Sequence, residues 1–104
     1  MKPRDVYQQL LAINSEAHTS ASYEVAYHAL AAALHAAHGA HDEPGVLRVK
    51  KLAEEQIEWI DAHDSAHPLA TASAAERGHA TVYAMLAQQA NAMALMLRGP
   101  QHAH

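Results

Sequence analysis

Histidine is the residue type with chemical potential in this chain: it supplies ten of the 104 residues. Unperturbed imidazole titrates near about 6.5. The formal charge therefore swings from −4 with neutral histidines to +6 when all are protonated. Neutral imidazoles and carboxylates converging from several helices are also the usual ligands of a divalent transition metal such as zinc or iron. Glu24, His28 and His35 fall on one flank of a helical segment. His28 and His35 are two turns apart, roughly 10 Å along the axis, so a shared metal would take one of them together with His63 or His79. His63 and His79 sit within apolar stripes of later segments, which makes them the inward-facing candidates. The same residues have a plainer reading. Glu24 and His28 form a surface i,i+4 pair, and His63 and His79 are rim histidines with one hydrogen bond each.

Glu76-x-x-His79 has the spacing used by ferritin-like carboxylate sites. Those sites take two such motifs and two further glutamates, and only one motif is present. Gln56 and Gln89 also interrupt apolar stripes, and Tyr83 lies one turn beyond His79. These three are expected to be buried polar groups that fix helix register or line a small-molecule pocket. The segment His35-Ala36-Ala37-His38-Gly39 resembles the His-x-x-Lys-Gly signature of histidine phosphotransfer domains, themselves small helical bundles. The resemblance covers five residues, with His38 where the signature has Lys, and it would imply phosphoryl transfer to His35.

Composition excludes several chemistries. Cysteine is absent, which removes thiol nucleophiles, disulfides and Cys-ligated metals. The four glycines form no phosphate-binding or dinucleotide-binding pattern, and no serine lies in a G-x-S-x-G elbow. Seven scattered Lys and Arg against 11 carboxylates argue against a nucleic-acid partner. Met1-Lys2-Pro3-Arg4-Asp5 lacks the apolar core of a signal peptide. No charge-free apolar stretch approaches the ~18 residues of a membrane span. The expectation is a cytoplasmic protein with no membrane partner.

The elements that must position these side chains read as helices. Val6, Leu10, Ile13 and Ala17 follow Pro3 at helical spacing, giving a short first helix that packs across the others. A second helix runs from about Ser22 to His38, closed by Gly39 at C′. Pro44 opens a third that reaches about Asp64, with Val46, Val49, Leu52, Ala53, Ile57 and Ile60 inward. Ser73-Ala74-Ala75-Glu76 has the form of a capping box opening a fourth helix that runs to Arg98. Val82, Leu86, Met93, Met96 and Leu97 form its inward face, and Thr81, Gln88 and Asn91 look outward. Strand alternation is missing. The spacing predicts one all-α domain over residues 1–99, an antiparallel up-and-down four-helix bundle, with residues 100–104 as a tail.

Half of the chain is apolar, but 25 of those residues are alanine and none is phenylalanine. So few large side chains make a thin core. Two functions follow as expectations. One is a self-associating interaction module, a homodimer that also binds another protein, with the Ala-rich second helix and the fourth helix as its interface. The other is a transition-metal-binding bundle built on the His and Glu residues above. No nucleophile constellation marks an enzyme.

Overall fold

The computed structural model describes residues 3–99, which are all-helical with no strand among them. The expected tail at 100–104 lies outside the described residues. Five helices follow one another: α1 (Pro3–Thr19), α2 (Tyr23–Gly39), α3 (Glu43–His63), α4 (Thr71–Glu76) and α5 (Val82–Arg98). The single long fourth helix expected from the sequence is thus two helices. Gly78 stands in the left-handed region at φ +83°, and Gly78 N–H and His79 N–H fold back onto the carbonyls of Ala75 and Ala74. That is a Schellman closure, and it ends α4 after six residues. The expected capping box is also absent. α4 starts at Thr71, whose amide and hydroxyl both donate to the Asp61 carboxylate of α3, while Ser73 turns to the Ser65 carbonyl.

The same closure ends α1 and α2, but with a side chain at C′. Ala21 (φ +60°) and His41 (φ +55°) occupy the left-handed position. Ser22 N–H bonds to Ala17 O and Asp42 N–H to Ala37 O. Gly39, expected at that position, is the last residue of α2 instead. Asp42 then starts α3 by accepting a hydrogen bond from Gly45 N–H at 3.1 Å, with Pro44 in the first turn. Gly45 has to lack a side chain, because a Cβ there would meet the Asp42 carboxylate.

Long-range hydrogen bonds give the helix directions. Tyr7 OH donates to Gly45 O, joining the starts of α1 and α3. Tyr83 OH donates to Tyr23 O, joining the starts of α5 and α2. Arg98 at the end of α5 pairs with Glu43 at the start of α3 at 3.0 Å. The four long helices therefore alternate in direction. α1 packs chiefly on α2, and α5 chiefly on α3, with α2 and α3 between them. The result is a slab of 45 × 33 × 18 Å, under two helix diameters of about 10–12 Å in its thin dimension.

α1 is as long as α2 and α5 and lies against α2, not across the group. Of its expected stripe Val6, Leu10 and Ala17 are half-buried, but the most buried positions lie one residue further on. Tyr7 and Asn14 are buried and His18 half-buried, whereas Ile13 is 47% exposed. α2 is the central element, with Tyr23, Ala26, Ala29, Leu30, Ala33, Leu34 and Ala37 all buried. In α3 the buried residues are Gly45, Val46, Val49, Ala53, Gln56 and Ile60. In α5 they are Tyr83, Leu86, Ala87, Ala90 and Ala94. Three of those five are alanine, which lets α5 lie close on its neighbour, and Val82, Met93 and Leu97 pack half-buried beside them. Met96, expected inside, is 70% exposed, while Thr81, expected outside, is buried and donates to Leu69 O.

Candidate functional site

The proposed metal ligands do not converge. Glu24, His28 and His35 are exposed on α2, with the His28 ring edge-on to Tyr27. His63 and His79, read from the sequence as inward, are both exposed. α3 ends at His63, where the ring escapes the core and stacks on Trp59 at 4.2 Å. His79 lies in the break between α4 and α5, so the stripe that seemed to carry it does not exist there, and its Nδ1 pairs with Ala80 O. Among the described residues no three His, Asp or Glu side chains gather as a metal site would require.

The three polar candidates separate. Gln89 is exposed on α5. Tyr83 is buried; desolvation raises its phenol well above the ordinary value, and the nearby Tyr23 and Tyr27 add to the rise. Gln56 is buried and paired with a residue the sequence reading missed. Gln56 Nε2 donates to Asn14 Oδ1 at 2.6 Å, and Asn14 Nδ2 returns a bond to Gln56 Oε1 at 3.0 Å and reaches Ala26 O at 2.7 Å. This reciprocal amide pair ties α1 to α3 and α2 and fits a register role. Asn14 follows Tyr7 by seven residues on one helix face, a spacing that hydrophobic periodicity does not distinguish from the stripe through Ile13.

Two features of the surface are left without an internal role. The first is the outer face of α5. Met85, Leu95 and Met96 are 47%, 56% and 70% exposed. Gln88, Gln89, Asn91 and Ala92 lie exposed beside them. From Val82 to Leu97 the helix carries no charged residue at all. A cleft of about 510 Å³ runs along its edge, walled by Lys50, Glu54 and Ile57 of α3 and by Ala84, Ala87, Gln88 and Asn91 of α5, with Tyr83 contributing to its lining.

The second is an aromatic and histidine cluster where the end of α1, the start of α2 and the end of α3 meet. The His18 ring lies 5.3 Å from Trp59 and 5.5 Å from Tyr23, and His67 meets Tyr23 edge-on at 4.9 Å. Burial lowers the pKa of His18. Burial also raises that of Tyr23, with Asp64 adding to the effect.

A further cleft, about 600 Å³, lies between α1, the end of α2 and the start of α3 and includes Tyr7, Asp42 and Arg48. Burial raises the Tyr7 phenol there, Asp42 reinforcing and Arg48 opposing the shift.

Compared with known proteins, the chain matches no family model, no curated protein and no solved structure. The five-residue likeness to histidine phosphotransfer domains stays local, with His35 exposed and Gly39 closing the helix. Among the described residues no helix is long and apolar enough to cross a membrane.

Proposed function

We propose that this protein is a helical interaction module that self-associates through the outer face of α5. The observation that carries the reading is the charge-free run Val82–Leu97 with Met85, Leu95 and Met96 in solvent. Exposed large apolar residues scattered singly are ordinary, but clustered on one face they mark an interaction surface. α2, the other helix expected at the interface, packs on α1, α3 and α5 of its own chain, and its exposed face carries Glu24, His28 and His35 beside Val25, whereas the outer face of α5 is free of charge.

The pattern on α5 favours a second copy as the occupant. A two-fold interface places one patch against itself. If two α5 helices meet antiparallel about a point near Ala90, Met85 of one copy faces Leu95 and Met96 of its partner. Gln88 and Gln89 then face Ala92. Large side chains meet at both ends and long polar ones meet a small one in the middle, so the face is its own complement. Two copies with net charge −4 repel, and a face without charge is where that repulsion is least. The cleft with α3 widens a strip that α5 alone, about 25 Å long, would leave narrow.

The absence of cysteine permits a direct test. Chains carrying Met85→Cys and chains carrying Leu95→Cys, mixed and oxidised, are expected to form the mixed disulfide in excess of either homodisulfide. Dominant Met85→Cys homodisulfide, or no disulfide at all, overturns the antiparallel seam.

A further inference from the structure

Three histidines share the junction of α1, α2 and α3, and their ring nitrogens are not equivalent. His63 Nδ1 lies 2.9 Å from Trp59 O. A carbonyl only accepts, so this nitrogen carries a proton, and the bond survives when the ring becomes a cation. His67 is the reverse. Its Nδ1 accepts a hydrogen bond from Leu69 N–H at 3.1 Å, so a proton on that nitrogen would displace the Leu69 amide. His18 Nδ1 is buried with no hydrogen-bond partner among the described residues. A bare nitrogen there has a modest cost, but a charged N–H with no acceptor has a much larger one. His18 and His67 both lie against Tyr23, and each is held in an arrangement that only the neutral ring satisfies.

We propose that this junction is an acid-operated latch, in which protonation drives His18 from its place between Tyr23 and Trp59 and His67 from the Leu69 amide, freeing the end of α1 from α3 while the helices persist. The rings that His18 packs against carry no charge to offset its desolvation. From α2 it meets Tyr23, and from α3 it meets Trp59, on which the cation-tolerant His63 is stacked. His67 comes from the segment between α3 and α4, and the nearby carboxylate Asp64, which caps α3, acts on Tyr23. Burial is the cause of the depressed His18 pKa. The released ring has a favourable place to go. His18 is in the last turn of α1, where a cation is stabilised by the helix dipole and the terminal carbonyls. A cleft of about 390 Å³ bounded by Tyr23, His67, Pro68 and Leu69 gives the other ring room to turn.

The test is a proton NMR titration of the histidine rings in the full chain, with far-UV circular dichroism recorded on the same samples. His18 is expected to titrate below the ordinary imidazole value of about 6.5. The His18–Trp59 and His18–Tyr23 cross-peaks should vanish with that same midpoint, and helicity should hold. His18→Leu should keep the Tyr23–Trp59 contact through the range in which the natural chain changes, and His79→Ala should alter nothing. Cross-peaks that persist through the titration of His18 overturn the latch. So does a His18 midpoint at or above about 6.5, and so does a loss of helicity at the same midpoint, which would mean global unfolding.

Discussion

The Asn14–Gln56 pair is the most demanding contact in the molecule, because two side-chain amides are buried together and satisfy one another. Removing one partner strands the other in the core at a cost of about 1–3 kcal/mol. Asn14→Ala and Gln56→Ala are each expected to lower the urea midpoint accordingly. The double variant should lose less than the two single losses combined, since the second removal no longer strands anything; strict additivity would show that the pair is not coupled. Tyr83→Phe is expected to cost about 1 kcal/mol for its bond to Tyr23 O. Gln56 was legible as a polar residue inside an apolar stripe. Asn14 was not, because Ile13 beside it claimed the stripe for the wrong face, and periodicity alone does not separate two faces one residue apart.

At the scale of the elements, punctuation was legible and conformation was not. Pro44 and the polar end at Asp64 fixed α3 closely. Helical spacing gave no sign that Gly78 breaks an alanine-rich run, since an isolated glycine is tolerated in a helix. Likewise, nothing in the letters Ala21 and His41 announces a left-handed backbone. Those two positions yield a prediction. A side chain in that region costs about 1–2 kcal/mol, so Ala21→Gly and His41→Gly are each expected to raise stability by up to about 1 kcal/mol in chemical denaturation. Gly45→Ala should do the opposite, displacing the Asp42 carboxylate from its capping position and costing about 1 kcal/mol or more. A stabilised Gly45→Ala would refute the account of how α3 begins.

For the whole molecule, the thin core expected from the alanine content takes the form of a slab. α2 and α3 lie at its centre, and α5 sits at one side with Met85, Leu95 and Met96 outward. The all-helical class was legible because helical spacing runs through nearly every segment. The inward face of α5 was largely legible in Val82, Leu86, Met93 and Leu97, but Met96 was misplaced, since alanines fill most of the fully buried stripe.

Acid acts on this body through His18. Its folded pKa is depressed by burial, so below the unfolded value of about 6.5 the unfolded chain binds a proton that the folded chain refuses. The His18 contribution is therefore complete above about 6.5 and declines as pH falls from there through the folded value. Urea midpoints measured across that range should fall on acidification, and the fall should be smaller in His18→Leu.

The central claim concerns α5, and the mass of the protein in solution tests it most directly. Sedimentation equilibrium from micromolar to submillimolar concentration should show the natural chain approaching twice its 11.2 kDa. The Leu95→Glu, Met96→Glu double variant should stay at the single-chain mass with its helical content unchanged. A natural chain that remains a monomer throughout, or a double variant that still dimerises, would contradict the account.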